Sequence, residues 1–263
     1  MIAESHDAAG VAVEACAWCE EPLRAVEPPA RAEPAVSGGT ARRCPACGSR
    51  TRAWAGSEQV ARAAPISSAW AGDDARLTAE RCSIADALRR RASKRLAVRV
   101  ARMAPPGAIL DVASGDGTLL DALRASGRVA TGIGRLPERG DVHDIELTEL
   151  GGRYAAIVFW QSLGGLRTPR AALEHAASLL KPDGLLTIAQ PTSLGLPALS
   201  ERWHGVPRPV ERVRIPQRAL VERLRALGLE VLHADRVQDG ATGRIGRWPA
   251  TFVGGVLSVE ARR

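Results

Sequence analysis

The sequence predicts an α/β chain: a doubly wound, mostly parallel, Rossmann-like sheet preceded by a small module built on four cysteines. Three observations predict it. Short apolar runs alternate with helical segments through the second half of the chain. The stretch Ile109-Leu110-Asp111-Val112-Ala113-Ser114-Gly115-Asp116-Gly117 reads as a buried strand ending in an acid, then a glycine turn, then a helix. Near the start, Cys16-Ala17-Trp18-Cys19 and Cys44-Pro45-Ala46-Cys47-Gly48 are two C-x-x-C pairs separated by 24 residues.

In chain order, residues 1–12 carry acids, lack an apolar run and read as disordered, with no signal peptide. Residues 13–50 form the cysteine module, whose tip from Glu20 to Thr40 is rich in proline, alanine and charge and has little to bury. Residues 51–82 are a linker with Trp54 and Trp70 as apolar anchors, best placed against the main domain. The main domain spans 83–263. A helix begins near Ser83, with Leu88, Leu96, Val100 and Met103 as its apolar stripe, and Pro105 stops it. Strands follow at Ala108–Val112, Val129–Ile133, Ala156–Trp160, Leu185–Gln190, Leu229–Asp235 and Thr251–Val259. Helices fall at Thr118–Ser126, Pro169–Leu180 and Gln217–Leu227.

Two thiolates in a C-x-x-C turn can share one tetrahedral metal, and two such turns complete a closed site. Cys16, Cys19, Cys44 and Cys47 are therefore expected to hold a structural zinc in a zinc ribbon. Disulfides are the alternative, disfavoured in a chain without an export signal. A closed four-sulfur site leaves no open position for substrate, so the metal holds a fold rather than performing chemistry. Cys82 is left over and reads as a small buried apolar residue.

The net charge of +7 invites a nucleic-acid partner, but aromatics make up only 3% and leave few stacking platforms. Arginine far outnumbers lysine and alanine is abundant, a bias that GC-rich coding produces equally well. Nucleic acid is therefore ranked second to a small molecule. No run approaches a membrane span, and a cytoplasmic location is the default.

The stretch from Asp111 to Gly117 resembles the first motif of class I S-adenosylmethionine-dependent methyltransferases, Asp-x-Ala/Gly-x-Gly-x-Gly, matched by Asp111, Ala113, Gly115 and Gly117. Pro105-Pro106-Gly107 precedes it, as in those enzymes. Arg153 to Trp160 resembles the family's fourth strand, and Thr168 to Leu180 the helix after it. Leu179 to Pro191 resembles its Leu-Leu-Lys-Pro-Gly-Gly turn and fifth strand. The resemblance runs from about Ser83 to the C-terminus. It implies S-adenosylmethionine as cofactor, with Asp111, Ala113, Ser114, Gly115 and Gly117 on its methionine and ribose side. It also places Asp144 near the adenine, and Phe159 and Trp160 flanking the reacting centre. A zinc ribbon, a methyltransferase core and a Trp-containing segment before the last helix is also the layout of some zinc-ribbon methyltransferases acting on small molecules and sugars.

Four departures from the family pattern stand out. Strand 2 ends in Gly132-Ile133-Gly134, where an acid would hold both ribose hydroxyls. Glu138 and Asp141 are the nearby acids that can reach back. Losing that charge-assisted hydrogen bond costs about 1.5–3 kcal/mol, one to two decades of affinity. Only seven residues separate Gly134 from Val142, fewer than the dozen or so a parallel crossover needs, so either the usual helix or the third strand is absent or vestigial. After strand 4, Gln161-Ser162-Leu163-Gly164-Gly165 replaces a His-x-Leu-Glu-His pattern, and Tyr154-Ala155 stands where an acid often opens that strand. Trp203 to Pro209 resembles a segment commonly ending Pro-Arg-His; Arg208 is retained and Pro209 replaces the histidine.

Methyl transfer is an in-line displacement in which the cofactor brings the reactive carbon and the protein aligns the acceptor and removes its proton. His204 is the candidate base, with an ordinary surface histidine as the alternative. Arg208 is the candidate for holding an anionic acceptor, with a solvated arginine as the alternative. His143 beside Asp144 reads as a cofactor-pocket wall, and His6, His175 and His233 form no constellation. The expected activity is methyl transfer to a small-molecule acceptor, with a sugar or secondary metabolite as the class. A catalytically degenerate methyltransferase fold serving as a binding or scaffold module is the alternative, and a zinc-ribbon nucleic-acid-binding protein a further one.

Overall fold

The computed structural model describes residues 15–23, 41–52, 90–134, 142–143, 145–191, 213–237 and 256–263. Ten strands lie within them: β1 (Ala41–Arg43), β2 (Arg50–Arg52), β3 (Ile109–Val112), β4 (Ala130–Ile133), β5 (Val142–His143), β6 (Tyr154–Trp160), β7 (Leu180–Pro191), β8 (Val213–Arg214), β9 (Glu230–Val237) and β10 (Val256–Arg262). The helices are α1 (helical over 90–103), α2 (Thr118–Ala125), α3 (Pro169–Leu179) and α4 (Gln217–Ala226). Ser83, Leu88, Trp54, Trp70 and Cys82 lie outside the described residues.

Seven strands form one sheet in the order β5-β4-β3-β6-β7-β10-β9. The pairs from β5 through β7 are parallel, and β10 runs antiparallel to both β7 and β9. Parallel strands are covered on both faces, so they read as continuous apolar runs. Accordingly, every residue of β3 is buried, as is the whole interior of β6. On one face, Ile109, Ala156, Val158 and Leu185 pack with Leu96, Ala97 and Val100 of α1 and Leu119, Leu120 and Leu123 of α2. On the other, Leu110, Val112, Ile157, Phe159, Leu186 and Ile188 meet Leu173 and Ala176 of α3 and Leu220 and Leu224 of α4. From β3 the chain winds outward through β4 to β5, then returns to β6 on the other side of β3. The winding therefore reverses between β3 and β6, where ligands of open α/β sheets sit.

The short link after Gly134 leaves a vestigial third strand, the two residues Val142–His143, paired parallel with Gly132 and Ile133. β7 starts at Leu180, five residues before the expected Leu185, because Leu180 already pairs with Tyr154 and the residues Lys181 to Gly184 bulge out. Asp183 takes the left-handed conformation at φ 59° that the bulge needs, which explains why the related turn prefers glycine there. The last strand continues to Arg262 because it pairs on both sides, with Leu185 and with Glu230; residues 251–255 lie outside the described set.

Many arginines are built into this frame. The Arg128 guanidinium donates to the carbonyls of Ala101 (3.0 Å), Ala104 (3.2 Å) and Gly107 (3.3 Å), satisfying groups left open where α1 ends. Arg99 of α1 forms a two-point ion pair with the fully buried Glu260 of β10, Nη2 donating to Oε2 at 2.6 Å and Nε to Oε1. Arg153 and Arg263 both donate to the carbonyls of Ser178 and Leu180 at the end of α3.

The cysteine module is joined to the main domain in a way the sequence did not announce. β1, β2 and β8 form a three-stranded antiparallel sheet, so Val213–Arg214 from the main domain completes the module. β2 itself runs to Arg52, two residues past the boundary expected at 50. Cys16, Trp18, Leu23 and Cys44 are buried in the same apolar cluster as Val213, Ile215, Leu220 and Phe159. Among the described residues no helix is long and apolar enough to cross a membrane.

Candidate functional site

The turn after β3 is held by backbone geometry that few residues adopt. Ala113, Gly115 and Gly117 all have positive φ, at 54°, 55° and 75°. Ser114 is buried between them; its N–H donates to Ile133 O (3.0 Å) and its hydroxyl to Asp111 O (3.0 Å). Asp116 Oδ1 accepts from the N–H of Thr118 (3.0 Å), and α2 begins there. A Cβ on Gly115 would come no nearer than 4.0 Å to any protein atom outside its neighbours, so the space above that glycine is open to a ligand.

Beneath the turn, Asp111 is almost completely buried, and its Oδ2 has no hydrogen-bond partner. Burial pushes its carboxyl up to about 7; the nearby Asp116 charge adds to the rise, and the Ser114 hydroxyl opposes it. An orphaned carboxylate oxygen costs about 1–3 kcal/mol or more if nothing meets it, so the site is built to receive a donor.

Gly132 and Gly134 close the other side. A Cβ on Gly132 would lie 2.5 Å from Ser114 Oγ and 2.9 Å from Leu120 Cδ2. A Cβ on Gly134, at φ 144°, would lie 3.2 Å from Ala113 Cα and 3.3 Å from Ser114 N. The end of β4 thus lacks side chains because the turn packs directly against it. The missing acid has a steric cause that spacing alone could not reveal.

Across the winding reversal, β6 ends in Trp160, which is half-buried, and Gln161, which is left-handed at φ 55° and donates its N–H to Ala189 O (2.6 Å). Gln161 and Ala113 therefore mark the carboxyl ends of two adjacent strands with the same unusual backbone. A non-glycine residue in that conformation costs on the order of 1 kcal/mol or more, a feature that gathers at functional sites. Gln161 was not among the residues expected here, and the positive φ that singles it out has no sequence signature. Ser162, buried with an unpartnered hydroxyl, follows it. Phe159 is fully buried on the α3 face, whereas Trp160 lies on the α1 and α2 face. His143 is exposed beside Gly134, whose N–H donates to its carbonyl (3.0 Å). His175 Nε2 bonds Leu150 O (2.9 Å) and joins no cluster. Asp144, His204, Arg208, Glu138 and Asp141 lie outside the described residues.

The four cysteines converge. Their sulfurs all lie within 4.8 Å of one another, with Cys16 to Cys47 at 3.7 Å and Cys19 to Cys44 at 3.5 Å. Zinc–sulfur bonds of about 2.3 Å in a tetrahedron put the sulfurs about 3.8 Å apart, so the cluster fits that ion and is far too open for disulfides. The two turns match: Glu20 N–H donates to Cys16 O and Gly48 N–H to Cys44 O, each at 2.9 Å, with Glu20 and Gly48 both left-handed. Thr51 Oγ1 accepts from Ala17 N–H (3.2 Å), locking the first turn to β2. This arrangement is that of a zinc ribbon.

A family profile described as a methyltransferase domain matches residues 86–234, more than half of the chain. No curated protein matches it. Solved structures that it is similar to include the plantazolicin methyltransferase BamL, at 12% identity over 71% of this chain and 88% of that one, with a TM-score of 0.49. Another is the Burkholderia thailandensis 1,6-didemethyltoxoflavin-N1-methyltransferase, at 20% identity over 76% and 94%, TM-score 0.46. A third is the [4+2]-cyclase SpnF, at 22% identity over 65% and 80%, TM-score 0.46.

Proposed function

The chain belongs to the methyltransferase-domain family, and from that premise we propose that it transfers a methyl group from S-adenosylmethionine to a small-molecule acceptor. The observation that carries this reading is the unpartnered, buried Oδ2 of Asp111 beneath an open glycine turn at the winding reversal of the sheet. Bound there, the cofactor would supply an electrophilic methyl group on a sulfonium. Asp111 accepts a hydrogen bond from its donor-bearing end, while Ala113, Ser114, Gly115 and Gly117 let backbone approach it closely. Asp144 is assigned to the adenine side, and Trp160, with Phe159 packed behind the sheet, to the wall of the reacting centre. His204 is assigned the acceptor's proton and Arg208 an anionic acceptor group. Cys16, Cys19, Cys44 and Cys47 are assigned one structural zinc.

A second reading has its own observation. Gly134 stands where an acid would hold the ribose, and the turn occupies the space beside it. This favours a fold that has kept its frame and given up tight cofactor binding, acting as a scaffold.

Calorimetric titration of the zinc-replete protein with S-adenosylmethionine and then S-adenosylhomocysteine separates the two. Micromolar binding, abolished in Gly115→Val with zinc content unchanged, is expected. Unchanged affinity in that variant would remove the turn from the pocket. No binding at millimolar ligand by the folded wild type would favour the scaffold.

A further inference from the structure

The outer face of the zinc ribbon carries cations in strict register. Arg43 of β1 pairs directly with Arg50 of β2, and Arg50 with Arg214 of β8. The next register row, Arg42, Thr51 and Val213, turns the other way, with Thr51 and Val213 buried against the main domain. Side chains alternate along a strand, so Arg43, Arg50 and Arg214 share the opposite face. Arg43 and Arg50 are exposed, Arg214 is half-buried, and neither Arg43 nor Arg50 has an ion pair or hydrogen bond. Elsewhere in the frame arginines meet carboxylates or helix-end carbonyls, as Arg99, Arg128, Arg153, Arg170, Arg223 and Arg263 do.

Directly opposed residues in antiparallel strands have Cβ atoms about 4.5–5.5 Å apart, and like charges so placed oppose folding. A three-strand row of this kind works against the stability of a very small sheet. An evenly spaced polyanion relieves that repulsion. The ribbon's described acids, Glu20 and Glu21, sit on the first cysteine turn and form no ion pair with the row.

We propose that this arginine row is a docking surface for the phosphate backbone of nucleic acid. The other polyanionic partners fit less well. A membrane surface would call for apolar side chains that insert beside the charges, and the row has none. A protein interface would call for an aromatic or aliphatic centre. Guanidinium forks match phosphate oxygens two at a time. The absence of an aromatic side chain in the row means that contact is to the backbone, without base stacking or sequence readout. This inference concerns the ribbon alone and does not rest on the methyl-transfer reading.

The test is fluorescence anisotropy of the full zinc-replete chain with a labelled 20-nucleotide single-stranded RNA, between 50 and 200 mM salt. Three phosphate contacts predict a log–log salt slope near −2, about a 20-fold loss of affinity across that range. The double variant Arg43→Ala/Arg50→Ala should lower the slope magnitude by about 1.4 and weaken binding at least tenfold at 50 mM salt. Arg43→Lys/Arg50→Lys should retain the slope. Zinc content and melting temperature of the alanine variant should match or exceed wild type, which separates lost contacts from lost folding. Arg95→Ala/Arg102→Ala on α1, across the main sheet from the ribbon, should bind as wild type. The proposal is overturned by no binding at 50 mM salt, by an unchanged slope in the alanine variant, or by loss confined to the α1 variant. Capture of the protein by phosphatidylserine vesicles but not by RNA would also overturn it, in favour of a membrane surface.

Discussion

The Cβ that Gly134 lacks would stand 3.2 Å from the Cα of Ala113, the first residue of the glycine turn. The two elements that should share the cofactor's ribose are thus packed on each other. Restoring an acid by Gly134→Asp should therefore not tighten cofactor binding. The substitution adds strain at φ 144° and a clash with backbone that cannot rotate away. We expect a stability loss of about 1–3 kcal/mol in urea denaturation, with no gain in affinity by calorimetry.

Asp111 makes stability depend on pH. Its carboxyl titrates near 7 in the folded protein and near the usual carboxylate value when unfolded. The folded state therefore holds the extra proton between about pH 4 and pH 7, and stability declines as pH rises through that window. The full cost, on the order of 4 kcal/mol, is present above pH 7. Asp111→Asn should remove this slope, so that melting temperatures measured from pH 5 to 8 fall for wild type relative to the variant. A flat wild-type profile would show that the carboxylate has a partner in solution.

Glu260 is fully buried and Arg99 is half exposed, so deleting one or the other has unequal effects. Arg99→Ala leaves a buried carboxylate uncompensated and should cost about 3 kcal/mol. Glu260→Gln, which removes the charge, should cost less, and the double variant should recover part of the Arg99→Ala loss. Denaturant midpoints of the three variants provide the comparison.

Removing the ribbon's metal should be felt in the main domain. Cys44 is fully buried, and Cys16 and Trp18 share a cluster with Val213 and Phe159. Chelation, or Cys44→Ser, should abolish one equivalent of bound zinc and increase amide exchange in β8 and α4 as well as in β1 and β2. Exchange confined to residues 15–52 would mean that the two parts are energetically separate.

Much of the frame was legible in the sequence because its signals are local. Ile109 to Gly117 announces strand, turn and helix through burial and glycine placement, and the alternation after it announces the doubly wound sheet. The four cysteines announce themselves by spacing. The vestigial β5 follows from chain length, since seven residues cannot carry a full crossover. By contrast, β8 is two residues long and has no periodicity to detect, and only its pairing with β2 makes it a strand.

The sequence by itself determined the class of fold, the methyltransferase family, the cysteine set and the glycine turn, because each is written in residues close together along the chain. Tertiary structure decided what distance in sequence conceals. It stripped the end of β4 of side chains to seat the turn, and it left Asp111 Oδ2 without a partner. It also paired Arg99 with Glu260 and drew Val213–Arg214 into the ribbon, placing Arg43, Arg50 and Arg214 in one row. Steric exclusion, desolvation and cross-strand register act between atoms that meet only when the chain has folded.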